Sequence, residues 1–502
     1  MKRVLTALQM KEIDKYTINT VGIQSVVLME RAALGVCEVI MELYSRNDRI
    51  IVICGSGNNG ADGIATARIL TQYGYHADAF IVGNNERFTD EMAYQMKIAG
   101  KTGVTFVNRP CIDEYNVVVD ALFGIGLSRN IDGKYKDIIE KVNKSHAEVI
   151  AVDIPSGVNG NSGEVMGVCI HADVTVTFGA LKKGIILFPG SMYCGKVILK
   201  DAGFPDSVFA TVNGCAGIIE SEDIKAFLPE RIPQSNKGTY GKLLVIAGSK
   251  NMCGAACMCA AAAYKTGVGL VTVFTSEANR TIVQTKVPEA VLKTYEEKSN
   301  FAELLKSEIS KADYIVCGPG IGTSGDAAIM VGSVIDSGKK ALFDADAINI
   351  ISMNEKLMNK LHKNIIITPH VGEFARLTGD DIESVKKDLC GSCNSFSRRY
   401  NVICVLKDAR TVTCSPEGDE TINIYGNSGM STAGSGDVLA GIIGGLACQG
   451  VTDYNAAVIG VVVHAMAGDY AAEEKGQYSL MASDIIENIC KVMCGGKDEQ
   501  FR

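Results

Sequence analysis

The sequence predicts an α/β protein made of two successive units, each with a mostly parallel sheet covered by helices. Its 502 residues exceed the roughly 100–200 residues of an ordinary domain, so more than one domain is expected. Short β-branched runs lead into glycine turns and then into amphipathic stretches, which is typical of parallel strands that alternate with helices. The pattern restarts after a polar interval, so the chain repeats this architecture.

In the first half, three apolar runs predict strands that end in glycine-containing loops. They are residues 50–54, 117–120 and 149–153, and a helix is predicted over residues 61–73. The polar interval at 229–238 reads as a linker. We place the domain boundary near residue 218, giving a first domain over 1–218, a linker region over 219–238 and a second domain over 239–502.

The second half predicts a longer series of strands and ends in helices. Strands are expected at 242–247, 269–274, 314–317, 341–343, 364–368 and 402–406, with a hairpin of 411–414 and 421–424 and a long helix over 438–448. The apolar runs are again continuous rather than alternating. This favours strands that are buried on both faces.

Composition excludes several classes of protein. The net charge of −8 argues against nucleic acid as a partner. The 17 cysteines are scattered through apolar runs of a long chain, so they read as reduced core thiols. Cys390 and Cys393 have redox or zinc spacing, but a structural zinc site usually needs a second pair. The first residues lack a signal sequence and no run of 18 apolar residues occurs, so we expect a cytoplasmic protein without a membrane span.

A loop rich in Asn and Gly follows the first predicted strand. In open α/β sheets ligands bind at the carboxyl ends of strands, against helix N-termini. The plain alternative is a tight turn with a capping Asn or Asp. Asp120, Asp153 and Ser156 also lie at carboxyl ends of predicted strands, and their oxygens suit a hard cation. Each aspartate taken singly could instead cap a helix, but as a set they favour a site.

These segments together resemble the NAD(P)H-hydrate epimerase domain, a Rossmann-like three-layer fold. The resemblance rests on residues 55–63, 120–127 and 153–157. It implies Asp153 as the acid/base and a potassium ion held by Asn59, Asp120 and Ser156. It also implies that two loops, together with Asp153, bind the hydrated nicotinamide nucleotide: Asn58, Asn59, Gly60, Ala61 and Asp62 in the first, and Gly124, Ile125, Gly126, Leu127, Ser128, Arg129 and Asn130 in the second. Ala61 replaces the family's usual glycine, which matters only if that position needs a positive φ.

A second glycine loop, residues 427–437, precedes the predicted long helix. Backbone amides of Gly434, Ser435 and Gly436 could approach phosphate oxygens, and the helix start adds partial positive charge. A carboxylate such as Asp437 next to a phosphate is electrostatically unfavourable if its role is only structural. It is expected there if it acts as a base that deprotonates a hydroxyl nucleophile. The alternative is an Asp that caps a packed helix.

This loop resembles the ribokinase-like three-layer α/β fold, and further motifs are similar to the ADP-dependent NAD(P)H-hydrate dehydratase branch. They are residues 237–241, 254–256, 318–322, 368–373 and 407–411. The resemblance implies that Ala255, Gly322, His370 and Asp437 contact the hydrate. It implies a nucleotide site at Lys407, Asp408, Ala409, Arg410 and Thr411 with Gly434, Ser435 and Gly436.

Two details of this half stay open. His370 could contact substrate or simply cap the helix that starts near Val371, and Glu373 could be an ordinary first-turn acid. Asp408 stands where the family usually has glycine, which puts a carboxylate near the nucleotide.

The resemblance covers residues 8 to 495 and implies a repair enzyme for hydrated NADH and NADPH. The epimerase half interconverts the R and S hydrates, and the dehydratase half consumes the S hydrate at the expense of ADP. The resemblance implies K⁺ for the epimerase half and Mg²⁺ for the dehydratase half. A homo-oligomer, a tetramer or larger, is also implied. The rivals are a ribokinase-like vitamin or sugar kinase with an accessory domain, and a nucleotide-sensing protein with dead sites.

Overall fold

The structure, a computed structural model, describes residues 1–83, 85–296 and 300–494. The chain divides into an N-terminal unit, Lys2–Cys215, and a C-terminal unit, Ala216–Arg502, to which Met1 is assigned. The division falls three residues before the boundary expected from the sequence.

The N-terminal unit is a doubly wound, Rossmann-like α/β fold. Seven parallel strands lie in the order β4-β3-β2-β5-β6-β7-β9, and β1 pairs separately with β8. The strands are β1 Lys2–Leu5, β2 Arg49–Cys54, β3 His76–Ile81, β4 Thr105–Phe106, β5 Val117–Ala121, β6 Glu148–Val152, β7 Val174–Phe178, β8 Leu181–Lys182 and β9 Lys196–Lys200. The helices are α1 Ala7–Tyr16, α2 Ser25–Leu43, α3 Asn58–Gln72, α4 Asp90–Ala99, α5 Gly133–Lys144 and α6 Lys183–Ile186.

Alternate residues of the central strand β2 enter different cores, which makes the unit three-layered. Ile50 and Val52 pack with residues of α2 and α3, whereas Ile51 and Ile53 pack with residues of α5. The strand order reverses direction between β2 and β5, so the helices that follow these two strands, α3 and α5, pack on opposite faces of the sheet. Such a switch point leaves a crevice at the carboxyl ends of the strands.

The C-terminal unit is a second α/β fold with a larger sheet. Its strands lie in the order β13-β12-β11-β14-β15-β16-β17-β18-β19-β10, and only the β17-β18 and β18-β19 pairs are antiparallel. The strands are β10 Ala216–Ile218, β11 Lys242–Ile246, β12 Leu270–Ser276, β13 Val291–Tyr295, β14 Tyr314–Cys317, β15 Ala341–Phe343, β16 Ile365–Ile367, β17 Ile403–Leu406, β18 Val412–Cys414 and β19 Glu420–Ile422.

Helices of this unit cover the sheet and supply most of its core. They are α7 Ile224–Phe227, α8 Cys253–Lys265, α9 Arg280–Lys286, α10 Ala302–Lys311, α11 Gly325–Asp336, α12 Asp346–Ser352, α13 Glu355–Met358, α14 Val371–Thr378, α15 Ile382–Lys387, α16 Leu389–Tyr400, α17 Ser435–Cys448, α18 Asp453–Lys475 and α19 Ala482–Met493. Residues of α8, α17 and α18 pack with alternate residues of β11 and β14 in one buried cluster.

Among the described residues, α18 is long and apolar enough to cross a membrane by length and composition alone, but 67% of that apolar window is buried within the protein. A buried window of this kind is typical of a core helix. The expected strands and the hairpin are present, with ends that differ by at most two residues. The helices predicted at 61–73 and 438–448 begin three residues earlier, at Asn58 and Ser435. The sequence analysis missed β1, β3, β4, β7, β8, β9, β10 and β13.

Close packing of α17 on α8 depends on a glycine, and we expect Gly441→Ala to destabilise the C-terminal unit. A Cβ at this position would lie 2.2 Å from the carbonyl oxygen of Cys259 and 3.0 Å from Cβ of Ala262. Backbone atoms cannot shift away without a large energetic cost, so the substitution should lower the free energy of unfolding by about 1–3 kcal/mol. Urea unfolding followed by circular dichroism measures it.

Gly332→Ala is the matched control, because it also places a methyl group within a helix. The nearest atom to its Cβ would be Cδ2 of Leu357, at 3.8 Å. We expect a small gain in stability of about 0.5–1 kcal/mol. Equal effects of the two substitutions would contradict the packing argument.

Candidate active sites

In the N-terminal unit, the turn from β2 into α3 is tight enough to require glycine. A Cβ on Gly55 would lie 2.1 Å from the carbonyl oxygen of Leu122, and one on Gly60 would lie 2.1 Å from the carbonyl oxygen of Gly55. The loop after β2 is therefore pressed against the loop after β5. Asn58 and Asn59 are the first two residues of α3, where Asn58 is exposed and Asn59 is half-buried.

Asp120 and Ser156 are joined by direct hydrogen bonds in the interior. The Ser156 backbone N–H donates to Oδ2 of Asp120 at 2.7 Å, and the Ser156 hydroxyl donates to Oδ1 at 2.6 Å. Burial raises the pKa of Asp120 to about 6, although the donors from Ser156 and Leu122 act in the opposite direction. All of these donors are neutral, so the buried carboxylate has no cationic partner among the described residues.

Asn59 lies beside the second predicted loop. Its Oδ1 would be 3.1 Å from a Cβ on Gly124, so the absence of a side chain at Gly124 makes room for the amide. Its Nδ2 is buried and has no hydrogen-bond partner within the described part of the chain. A buried amide left unpaired in this way costs free energy, which indicates that a further group completes the site.

Asp153 is held by a lysine that the sequence analysis did not single out. Nζ of Lys182 lies 2.5 Å from Oδ1 of Asp153, and the Thr177 hydroxyl donates to the same oxygen at 3.1 Å. The Asp153 backbone has a positive φ of 70°, which is costly for a residue other than glycine and is found most often at functional sites.

Two further carboxyl groups interact with this pair. Burial raises the pKa of Asp62 well above its usual value, and the charges of Asp153 and Asp14 raise it further. Burial also raises the pKa of Asp14 to about 6, with Lys182 opposing the shift. Asp62 is therefore harder to ionise than a free aspartate.

The structure brings the other predicted epimerase residues to the same end of the sheet with different exposure. Gly126, Ser128, Arg129 and Asn130 are exposed, whereas Gly124, Ile125 and Leu127 are half-buried. Ala61 is fully buried in α3 and is not among the residues with positive φ. The substitution of alanine for glycine is therefore compatible with the backbone at this position.

In the C-terminal unit, the glycine loop turns directly into α17. Gly434 has a φ of 89° and precedes the helix, which begins at Ser435. Asp437 thus lies in the first turn and does not cap the helix. The Ser435 hydroxyl lies 3.2 Å from Nε2 of His464, a buried side chain of α18 whose pKa burial lowers to about 4. A neutral imidazole therefore contacts Ser435, the residue at which the glycine loop turns into α17.

Asp437 has an unusual electrostatic setting. Burial raises its pKa to about 7; the charges of Asp344 and Asp346 raise it and that of Lys407 lowers it. No direct hydrogen bond or ion pair to its carboxyl group occurs among the described residues. A carboxyl group with a pKa near neutrality can both take up and release a proton under physiological conditions.

Lys407, which is half-buried, and Asp344, which is buried, form an ion pair next to the loop. Nζ of Lys407 lies 2.8 Å from Oδ1 of Asp344, which also accepts the Thr368 hydroxyl at 2.7 Å. A Cβ on Gly436 would lie 3.5 Å from Nζ of Lys407. The predicted nucleotide residue Lys407 and the glycine loop are thus adjacent.

His370 caps α14, as one of its two interpretations foresaw. Its Nδ1 accepts the backbone N–H groups of Gly372 and Glu373, while the Glu373 carboxylate accepts the N–H of His370. The imidazole remains 55% exposed and the backbone forms a bridge to Lys407. Capping and substrate contact are therefore compatible, and Glu373 has a capping role.

The remaining predicted residues lie at different depths. Gly322 donates its backbone N–H to Asp346 at 2.8 Å, and Cβ of buried Ala255 would be 2.9 Å from a Cβ on Gly320, so these two motifs meet. Asp408 and Ala409 are exposed. Thr411 donates to the Asp408 carbonyl at 3.4 Å, and Arg410 donates to the Ile424 carbonyl.

Sequence reasoning missed three buried polar residues at these sites: Lys182, Asp344 and His464. Asp344 directly follows β15, so the rule that strand ends carry functional groups could have found it. Lys182 and His464 gave no local signal, since a lysine in a short strand and a histidine in an apolar helix are unremarkable. The 17 cysteines are all free, and no cluster of His, Cys, Asp and Glu able to hold a metal occurs among the described residues.

Comparison with known proteins agrees with this division. The family model described as YjeF-related protein N-terminus matches residues 25–184, and the one described as NAD(P)H-hydrate dehydratase matches residues 243–491. The bifunctional NAD(P)H-hydrate repair enzyme Nnr of Moorella thermoacetica is 33% identical over 99% of this chain and 97% of its own length. That of Escherichia coli K12 is 31% identical, over 96% and 92%.

A solved structure supports the fold of the C-terminal unit. A ribokinase-like superfamily protein from Enterococcus faecalis V583 is 27% identical, with a TM-score of 0.52, and the match covers 56% of this chain and 96% of that one. Fold and sites thus define a two-unit α/β enzyme with a carboxylate at the strand ends of each unit. The chain belongs to the family of bifunctional NAD(P)H-hydrate repair enzymes.

The buried setting of Asp437 should make the wild-type protein less stable than Asp437→Asn at alkaline pH. The carboxyl group ionises near pH 4 when unfolded but near pH 7 when folded, so the folded state binds the extra proton between these values. Stability contributed by this group therefore falls as pH rises through that window. We expect the variant to gain about 1 kcal/mol or more at pH 8.

Calorimetry at pH 5 and pH 8 measures this difference. The transition of the C-terminal unit is identified by the shift that we expect ADP to cause. The advantage of the variant should be larger at pH 8. An advantage that is equal at both pH values, or reversed, would contradict the assigned pKa.

Proposed function

We propose that this chain repairs hydrated NADH and NADPH in two steps, one in each unit. The observation that carries the proposal is the retention of a carboxylate at the centre of both sites, within a chain that aligns with repair enzymes over nearly its full length. The N-terminal unit interconverts the R and S hydrates. The C-terminal unit dehydrates the S hydrate to NAD(P)H at the expense of ADP.

In the epimerase step, the configuration at C6 of the hydrated ring must be lost and regained. This can occur by ring opening or through an iminium ion. Asp153 relays the proton in either case, and general acid–base assistance of this kind is worth roughly 10²–10⁴-fold. The loops of residues 58–62 and 124–130 hold the nucleotide beside it.

Potassium fits the residues near Asp120. The carboxylate is buried with only neutral donors around it, and a half-turn of the Asn59 amide would place Oδ1 where the unpartnered Nδ2 lies. With the Ser156 hydroxyl these oxygens form a donor set for a hard monovalent cation. Such an ion would neutralise the buried carboxylate and order the loop that contains Asn59.

In the dehydratase step, hydroxide must be converted into a better leaving group. Asp437 takes the proton of the C6 hydroxyl, and the oxygen attacks the terminal phosphoryl group of ADP, which releases AMP. The ring nitrogen lone pair then expels phosphate, and loss of a C5 proton restores NAD(P)H. Amides of Gly434, Ser435 and Gly436 stabilise charge on the transferred group.

Lys407 serves the nucleotide phosphates in this proposal, since its ammonium lies beside the glycine loop. A magnesium ion would be held mainly by the phosphates, because the described residues offer no carboxylate cluster for it. We further propose that the protein is a cytoplasmic homo-oligomer, which gel filtration with light scattering tests.

A mixture of R and S hydrates with ADP should be converted completely to NADH, which absorbance at the NADH band follows. Asp437→Asn should lower the rate of NADH recovery by at least about 10³-fold, because the carboxylate that acts as the base is lost. Recovery by neither ADP nor ATP would contradict the dehydratase assignment. A stable phosphorylated product would instead favour a small-molecule kinase.

Asp153→Asn should stop recovery once the S hydrate is exhausted, at about half the total when the mixture is equal. The physical reason is that only the S form enters the second step, so the R form needs the epimerase. Enzyme-free samples correct for spontaneous epimerisation. Complete recovery at the wild-type rate by this variant would refute the role of Asp153.

A further inference from the structure

We propose that Lys182 is a positioning residue of the epimerase unit. It fixes Asp153 through one carboxylate oxygen, so that the other oxygen faces the proton that must be moved. The inference rests on the proposed acid/base role of Asp153 and assigns it a partner.

The ammonium group of Lys182 uses all three of its donors locally. It donates to Oδ1 of Asp153 at 2.5 Å, to the Thr177 hydroxyl at 2.9 Å and to the Phe178 carbonyl at 2.9 Å. Thr177 in turn donates to Oδ1 of Asp153. The three side chains thus form a closed triangle, and within the described part of the chain only Oδ1 of Asp153 is engaged.

The two members of the ion pair differ in how deeply they are buried. Lys182 is 1% exposed, whereas Asp153 is 13% exposed. The lysine is therefore shielded behind the aspartate, and the aspartate is the member that a ligand can reach. A buried ammonium costs several kcal/mol unless it is paired and hydrogen-bonded, so the position of Lys182 is tied to that of Asp153.

The surrounding charges are otherwise acidic. Asp62 on α3 and Asp14 on α1 both interact with Asp153 and Lys182, and Glu91 on α4 interacts with Asp62. The charge of Lys182 opposes the pKa shift of both groups. Without it, Asp153 would face acidic neighbours from two helices, and like charges disfavour ionisation. The lysine is therefore the counter-charge of Asp153 within an acidic cluster.

Asp62 differs from Asp153 within the same cluster. Burial and the charges of Asp153 and Asp14 raise its pKa well above the usual value, so it gives up its proton less readily than a free aspartate. Neighbouring carboxyl groups that are kept in different protonation states can act as a base and a proton donor. Lys182 maintains this difference because it contacts Asp153 directly and Asp62 only at longer range.

A purely structural lysine would behave differently on substitution. Its loss would lower stability and reduce the rate equally at every pH. A positioning residue that holds Asp153 ionised must in addition move the acidic limb of the pH–rate profile. With the ammonium gone, Asp153 takes up a proton more readily, so the base form is lost at a higher pH than in the wild type.

The experiment compares wild type, Lys182→Met and Lys182→Arg in the full-length protein. The interconversion of R and S hydrates is followed by chromatography without ADP, so that the dehydratase consumes nothing, and kcat/KM is measured from pH 5 to pH 9 after subtraction of enzyme-free rates. Lys182→Met should shift the midpoint of the acidic limb upward by about one unit or more. Lys182→Arg retains the charge and should restore most of that shift.

Two internal controls accompany these variants. ADP-dependent conversion of the pure S hydrate reports the integrity of the same chain and should be unchanged in both. Lys200→Met removes a lysine of the same unit that pairs with Glu38 at the surface. It should leave the epimerase profile as in wild type.

The outcomes separate this inference from the proposed function. An unshifted acidic limb in Lys182→Met, with Asp153→Asn inactive, overturns the role of Lys182 alone. Full epimerase activity in Asp153→Asn overturns both. If Lys182→Met is inactive at every pH, Thr177→Val decides, because it removes one side of the triangle: a smaller upward shift supports the inference and an unshifted limb overturns it.

Discussion

In each unit a lysine pairs with an aspartate at the carboxyl end of the parallel sheet. Lys182 lies 2.5 Å from Asp153 and Lys407 lies 2.8 Å from Asp344. Lys182 and Asp344 are almost fully buried, and a buried charge is costly unless it is paired and hydrogen-bonded. A threonine hydroxyl completes each pair, because Thr177 accepts from Lys182 and Thr368 donates to Asp344. The geometry of both sites depends on these pairs.

Parallel topology explains why the charged groups collect where they do. All strands of the N-terminal sheet run in one direction, so the loops that follow β2 and β5 emerge side by side at the switch point. Helix starts at the same edge supply unpaired backbone N–H groups. An edge with such amides can bind a phosphate or a nucleotide. The positive charges of Lys182 and Lys407 offset the negative charges of the aspartates that lie at the same edge.

The sequence predicted the strand ends better than the interior of the sites. Asp120 and Asp153 follow apolar runs, and Asp437 lies between a glycine loop and an apolar helix, so local patterns indicate their positions. Lys182 could not be found in this way, because its role arises from contact with a residue 29 positions away. The short strands β4 and β8 were missed for a different reason: two residues are too few to show a periodicity.

The two proposed bases have different surroundings. Asp153 contacts the ammonium group of Lys182 directly, which fixes one of its carboxylate oxygens. Asp437 has no direct hydrogen-bond or ion-pair partner among the described residues, and burial raises its pKa to about 7. A base near neutrality takes a proton from a hydroxyl that is being phosphorylated and then loses it to solvent before the next turnover. Asp344 and Lys407 shift the pKa of Asp437 in opposite directions without contacting it, so burial is the main cause of its high proton affinity.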